Sequence, residues 1–274
     1  MSRCCCRITA PELAYDLIFV KTRQRIEVCL FLPSMKIGLI GYGKMGKAIE
    51  EIALERGHSI AFRVNSDNPI ETANLDLADV AIEFSQPVLA FQHIEACMKQ
   101  QLPIVVGTTA WQEQLPEVID LLESNNGSLL HSSNFSIGVN IFFQLNERLA
   151  QLMSPHREYS ASIEEIHHVQ KLDAPSGTAV VLADGIVQNN DQYASWICNL
   201  GEPPLTTNQQ LGVTAIRLPE VPGTHTVRYT SEIDTITITH EAHSRKGFAL
   251  GAVLAAEFLV DKKGLFTMRD VLSL

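Results

Sequence analysis

The chain has 274 residues, of which 46% are hydrophobic and 19% charged, with a formal net charge of -10. A chain of this length can bury one large core or two smaller ones. Its acidic balance argues against nucleic-acid and anionic-membrane partners, which reward basic patches, and no apolar run approaches the ~20 residues of a membrane span.

Residues 1–34 read as an upstream extension, expected to be poorly ordered, because Met35 opens a fresh buried strand and no domain-like pattern precedes it. A signal peptide is disfavoured: the apolar LIFV at Leu17–Val20 precedes Lys21, Arg23 and Arg25 instead of following them, and no small-residue cleavage site comes after. The competing reading gives IEVCLFL, Ile26–Leu32, an edge-strand role. Cys4, Cys5, Cys6 and Cys29 fall in this segment, which leaves Cys97 and Cys198 in the body. So sparse a pair fits a reducing, cytoplasmic compartment. No CxxC, zinc-type Cys/His spacing or HExxH is present, so no metal site is expected.

From Met35 the pattern KIGLIGYGKMGKAIEEIALERGHSIAFRV predicts strand, glycine turn, helix over 47–56 and second strand. The turn is Gly41-Tyr42-Gly43-Lys44-Met45-Gly46, a GxGxxG in the strand-to-helix context that dinucleotide binding requires. There the first glycine permits the tight turn, the second lets the backbone approach a pyrophosphate, and the third lets helix and strand pack closely. Free N–H groups at the helix start face the anion. The acidic residue expected at the end of the second strand is missing. Asn65 takes its place, flanked by Arg63 and Asp67. A neutral residue beside an arginine suits a 2′-phosphate, which leaves NADPH at least as well matched as NADH.

Two further strand–helix units and a last strand follow, with strands at ADVAIEFS, PIVVGTTA and SLLHSSNFS and helices over 87–100 and 112–123. The alternation predicts a Rossmann-type, doubly wound parallel sheet, whose ligands bind beyond the carboxyl ends of the strands. That selects Phe84 and Ser85, then Gly107, Thr108 and Thr109, then Ser132, Ser133, Asn134 and Phe135 as lining candidates.

After Asn140 the pattern changes to a helix over 141–153, a strand ending near Ile166, a helix over 178–187, and a polar connection to Asn208. Strands are expected at 213–218, 224–230 and 234–240, where TITITH alternates as a half-exposed antiparallel strand should. These elements predict a second α+β domain on an open mixed sheet, spanning 139–246. The first domain, 35–138, is completed by 247–274, helical around 248–259.

Within the second domain, near the middle of the chain, lies EEIHHVQKLDAPSGTA, Glu164–Ala179, with two adjacent histidines, a lysine and a Pro-Ser-Gly-Thr turn. It resembles the signature of the 4-hydroxy-tetrahydrodipicolinate reductase (dihydrodipicolinate reductase) family through Glu165, His167, Lys171, Asp173 and Pro175-Ser176-Gly177-Thr178-Ala179. GTT at 107–109, SNFSIGVN at 133–140, ITHEAHSR at 238–245 and GLFTMRDVL from Gly264 extend the likeness over 35–274. The chain departs from the pattern in a shorter glycine turn, in Ser162 where Glu is preferred, and in Ala110 where a glycine often follows GTT.

The resemblance implies NADH- or NADPH-dependent reduction of a cyclic dicarboxylate with loss of water, in lysine and diaminopimelate synthesis. It also implies a cytoplasmic homotetramer built through the second sheet. By carry-over, His167 is the proton donor or acceptor and Lys171 a second donor. His168, Ser176, Gly177, Thr178 and Thr109 are substrate contacts, with the turn holding a carboxylate. Asp173 either orders the loop or takes part in catalysis, with the structural role favoured; His240 and His243 are structural or interdomain, and Arg245 serves the substrate or the domain junction. Two alternatives stay open: a relative of aspartate-semialdehyde or homoserine dehydrogenases, the former needing a nucleophilic cysteine, and a non-catalytic nucleotide sensor.

Overall fold

A computed structural model describes residues 17–22, 25–30, 33–244 and 246–274. β1 (Leu17–Thr22) and β2 (Arg25–Leu30) pair antiparallel, Leu17 opposite Leu30, as a two-stranded sheet of their own. For the rest of the leading segment, the expected poor order and the three adjacent thiols lie outside the described residues.

Lys36–Leu274 is a second compact unit. It opens with β3 (Lys36–Ile40), α1 (Lys44–Glu55) and β4 (Ser59–Val64). α1 starts at Lys44, earlier than 47, because the last part of the glycine turn is already helical. Its buried face is Gly46, Ile49, Ile52 and Ala53, one stripe at helical spacing. β5 (Val80–Glu83), α2 (Pro87–Lys99), β6 (Ile104–Val106), α3 (Leu115–Ser124) and β7 (Ser128–His131) follow. The strands are parallel in the order β4-β3-β5-β6-β7, with Gly264–Phe266 as a sixth beside β7. The chain leaves β3 toward β4 and returns to its other side at β5, so the switch point of this Rossmann-type sheet lies at the glycine turn.

The second sheet follows α4 (Ile137–Met153), which begins four residues before the expected 141 because the Ser136 hydroxyl caps it by accepting from Val139 N. β8 (Ser160–His167) leads through a loop to α5 (Gly177–Asn189), then β9 (Ser195–Leu200), β10 (Gln210–Arg217), β11 (Thr224–Thr230) and β12 (Thr235–Glu241). The order is β12-β11-β8-β10-β9, parallel among β8, β10 and β9 and antiparallel at β11 and β12. One expectation fails here. The polar connection to Asn208 contains β9, SWICNL, an edge strand whose half-buried Trp196, Ile197 and Cys198 are masked in sequence by flanking polar residues. The chain ends with α6 (Lys246–Leu259), β13 (Gly264–Phe266) and α7 (Met268–Leu272).

Each sheet has its own apolar core: Ile40, Ile94, Ile104 and Leu129 belong to the first, and Ile163, Leu182, Val213 and Tyr229 to the second. Among the described residues no helix is long and apolar enough to cross a membrane.

Candidate active site

β8 alternates so that Ala161, Ile163, Glu165 and His167 face inward while their neighbours face outward or lie part-buried. At the carboxyl end of the strand this inward face switches from aliphatic to ionisable. Register brings partners from both neighbouring strands: His225 of β11 opposite Glu165, and Arg217 of β10 opposite His167.

Glu165 is fully buried, so its charge must be met locally. Both carboxylate oxygens accept from Ser176 N at 3.1 Å. Arg217 Nη2 lies 3.2 Å from Oε1, and the ring nitrogens His167 Nδ1 and His225 Nε2 stand 3.4 and 3.6 Å from Oε2. Burial alone would raise this carboxyl, but His225, the Ser176 donors and His167 overcome it and hold it at about 2. Burial pushes the His167 imidazole down to about 4, against the pull of Glu165 and helped by His225, Lys171 and Arg217. At neutral pH the free site therefore holds an ionised glutamate beside a neutral imidazole.

Glu165, His167 and His225 bring three ligand-type atoms within 4.8 Å of one another, a cluster that the spacing of Cys and His in the sequence does not reveal. The cation facing Glu165 in this cluster is the Arg217 guanidinium.

The Pro-Ser-Gly-Thr turn does two jobs. The Ser176 hydroxyl is buried, caps α5 by accepting from Ala179 N, and lies 3.0 Å from His225 Nε2. Its side chain is thus structural, while Gly177 and the part-buried Thr178 border the cleft. A Cβ at Gly177 would meet nothing within 4 Å, so the helix start is open to an incoming group. Lys171 Nζ pairs with the exposed Asp173 at 2.9 Å, and Arg217 donates to the carbonyls of Asp173 (2.6 Å) and Lys171 (3.4 Å), pinning the loop.

These groups line a cleft of about 1220 Å³ whose opposite wall is the first domain. His167, His168, Lys171, Asp173, Ser176, Gly177 and Thr178 meet Thr109, Ser133 and Asn134 there. Phe84, Gly107, Thr108 and Phe135 stand behind that wall. A Cβ on Gly107 would sit 2.1 Å from the Phe84 ring, which packs 5.5 Å from Phe135, and the Thr108 hydroxyl accepts from Ser85 N at 2.8 Å. The Ser132 hydroxyl is spent within its turn on Asn134. His240 borders the cleft against Phe142, and His243 is exposed; Arg245 lies outside the described residues.

The glycine turn fits a dinucleotide. Gly41 has φ +91°, and a Cβ there would stand 2.1 Å from the Phe84 carbonyl; one on Gly46 would stand 2.3 Å from that of Gly41. Both positions therefore demand glycine. At Gly43 a Cβ would meet nothing, and no side chain caps α1, so the helix start faces open space, as a pyrophosphate cradle must. Tyr42, Lys44 and Met45 sit in this turn. Asn65 does not present its oxygen outward: Oδ1 accepts from Asp67 N and Asn68 N, both at 2.9 Å.

Sequence reasoning missed His225, Arg217 and Gly223. A Cβ on Gly223 would stand 3.0 Å from His167 Nε2; the residue that admits the imidazole is visible in sequence only as an unremarked Pro-Gly before a strand.

A Rossmann-type sheet with an open glycine turn, joined across a cleft to a mixed sheet bearing an acid–imidazole–lysine group, defines a two-domain nicotinamide oxidoreductase. Two family models cover nearly all of this unit: "Dihydrodipicolinate reductase, N-terminus" over residues 35–135 and "Dihydrodipicolinate reductase, C-terminus" over residues 138–272. The chain belongs to the dihydrodipicolinate reductase family. The 4-hydroxy-tetrahydrodipicolinate reductase of Christiangramia forsetii is 47% identical over 239 residues, covering 87% of this chain and 98% of that protein. Its namesake from Thermosipho africanus is 34% identical over 240 residues, with the same coverage. A dipicolinate-bound dihydrodipicolinate reductase from Paenisporosarcina sp. TG-14 shares the fold with a TM-score of 0.64 at 22% identity, over 86% of this chain and 98% of that one.

Proposed function

We propose that this enzyme reduces 4-hydroxy-tetrahydrodipicolinate to tetrahydrodipicolinate with loss of water, the reaction its relatives are named for, in lysine and diaminopimelate synthesis. NADH or NADPH supplies the hydride when bound, over the glycine turn at 41–46 and the strand-end wall of Thr109 and Asn134. The observation that carries the reading is the buried Glu165 cluster behind the cleft wall, which holds His167 where it lines the cleft together with Lys171.

The residues divide the work as follows. The open start of α5 at Gly177 and Thr178 receives a substrate carboxylate, and His168 faces the same ligand. Lys171 offers a cation to the dianion and a proton to the carbon that neighbours the hydride acceptor. His167 is neutral in the free enzyme. Two substrate carboxylates in the cleft raise its proton affinity, so it takes up a proton on binding and can hold or deliver it within the complex. Glu165 orients the imidazole, balances Arg217 and fixes the Ser176 backbone, and so acts as a positioning residue. On the resemblance we also place the enzyme in the cytoplasm as a homotetramer; β12, an exposed edge strand, offers a surface for it.

The semialdehyde-dehydrogenase alternative needs a reactive thiolate. Burial pushes Cys97 far up, and Cys198, on β9 and not in a connector, is also raised by burial.

The deciding assay follows nicotinamide oxidation while a synthase generates substrate from aspartate semialdehyde and pyruvate. Oxidation that requires the synthase, its substrates and this enzyme supports the assignment. Oxidation by aspartate semialdehyde alone would refute it, as would none at all.

A further inference from the structure

Arg63, which the sequence offers to a 2′-phosphate, is already engaged. Its Nε donates to Glu50 Oε2 at 3.0 Å and its Nη2 to Oε1, a bidentate pair. The Tyr42 hydroxyl donates to the same carboxylate, and the guanidinium stacks over the Tyr42 ring, 5.4 Å from its centroid. Three elements thus converge on one spot: the glycine turn through Tyr42, the second turn of α1 through Glu50, and the last residues of β4 through Arg63. In a fold of this kind the adenosine ribose lies between the glycine turn and the end of that strand.

Lys44, Lys47 and Glu51 lie on the exposed side of α1, the last paired with Lys246, and Asp67 lies exposed in the turn after β4. Arginine holds Glu50 below the usual carboxylate range, so it is ionised throughout the physiological range. The Glu50 side chain is 16% exposed and that of Arg63 is 40% exposed, so the pair lies at the rim, within reach of a ligand.

We propose that Glu50 sets the dinucleotide preference of this enzyme, favouring NADH. It neutralises the guanidinium that a 2′-phosphate would need, and it presents a carboxylate that repels that phosphate while accepting from ribose hydroxyls. Asn65, whose oxygen is spent on its own turn, leaves this role to a residue of α1 instead of the strand end. The inference rests on the reductase reading for the identity of the ligand, but concerns only which of two nicotinamide dinucleotides binds.

The test is equilibrium binding, without substrate or turnover. NADH and NADPH are titrated into the protein by nucleotide fluorescence, and adenosine 5′-monophosphate is compared with adenosine 2′,5′-bisphosphate by calorimetry. The wild type should bind NADH more tightly, and the extra 2′-phosphate should weaken the adenosine ligand. Glu50→Gln keeps the size and frees Arg63, so the NADPH-to-NADH affinity ratio should rise by about tenfold or more. Glu50→Gln/Arg63→Met should lose that gain. Equal or tighter wild-type binding of NADPH overturns the proposal even if no variant folds, and so does a ratio that Glu50→Gln leaves unchanged. Binding of both dinucleotides without preference sinks this inference alone; binding of neither sinks the reductase reading with it.

Discussion

Glu165→Gln tests the cluster at its centre. The substitution preserves shape and one acceptor, which can still receive Ser176 N, but it removes the charge that faces Arg217 at 3.2 Å and sets an amide donor among donors. Glu165 is fully buried and the Arg217 side chain only 13% exposed, so the guanidinium is left without its counter-charge. Removing one partner of a buried pair costs ~3–5 kcal/mol; because the carbonyls of Asp173 and Lys171 still accept from Arg217, we expect the lower end, ~3 kcal/mol. At about 2–4 °C per kcal/mol for a chain of this size class, the melting temperature should fall by roughly 6–12 °C. Glu165→Gln/Arg217→Met should recover part of the loss, since no charge then lies buried and alone.

The pH dependence gives an independent check. The folded pKa of Glu165, about 2, lies below its ordinary 4.5, so the stabilisation is complete above 4.5 and drains away as pH falls toward 2. His167, lowered from 6.5 to about 4, acts in the same direction over the window from 6.5 down to 4, where the unfolded chain binds the proton and the folded chain does not. Thermal melts at pH 7, 5.5, 4.5 and 3 should show both losses in the wild type. The glutamine variant should lack the one below 4.5. A variant melting within about a degree of wild type at pH 7 would refute the account, because the buried charge would then be balanced elsewhere.

His167→Gln should lower turnover by about 10²–10⁴-fold while leaving NADH binding close to wild type, as loss of a proton-handling group does; near-normal turnover would remove His167 from its role. Lys171→Met should reduce turnover and weaken dicarboxylate binding together, and if neither moves, the ion pair with Asp173 is only a loop tether. Thr178→Val, which keeps the turn and its backbone donors, should weaken binding of pyridine-2,6-dicarboxylate by ~1–3 kcal/mol in calorimetry; unchanged affinity would make the turn a cap and nothing more. A chain beginning at Met35 should retain turnover and melting temperature, because β3 is already paired on both sides, by β4 and β5, and has no free edge for another strand; an early melt would show that the leading segment supports the fold.

The first domain was legible because each of its decisions is local. KIGLI, the glycine turn and the Ile49–Ile52–Ala53 stripe specify strand, turn and helix within a few residues of one another, and there the structure moves only the start of α1; the three-residue β13 that joins this sheet from the far end of the chain is too short to show a period. The second domain was legible only where period or motif was strong. TITITH announces β12, but SWICNL is a short edge strand with one half-buried face, and its period is too weak to outweigh its polar setting. The site divides in the same way. Glu165, His167, Lys171 and the Ser176 turn sit in one continuous run. His225 lies 49 residues from Ser176, and Arg217 lies 52 from Glu165; register pairing across a sheet brings them in, and no local pattern encodes it. Arg63 shows the converse limit: it lies near the end of β4, but its partner Glu50 lies one helix earlier, and that partner changes what the guanidinium can do.

The two halves of the cleft are tied together by one residue of the strand-end wall. Asn134 sits midway in the loop between β7 and α4, and its side chain reaches Thr178 Oγ1 at 3.4 Å across the cleft. Its own position is fixed by the start of α4: Ser136 N donates to its Oδ1 and Asn140 Nδ2 to its carbonyl, each at 2.9 Å. Hydride transfer needs the reacting carbon within a few tenths of an ångström of its donor, and small misplacements are costly. One domain would hold the hydride donor and the other the substrate. On the proposed roles, the polar bridge from Asn134 to the turn at Thr178 would supply a registration that neither sheet can provide alone. The Glu165 contacts to the Ser176 backbone serve the same end from below, since a turn free to shift would move the substrate and the α5 start together.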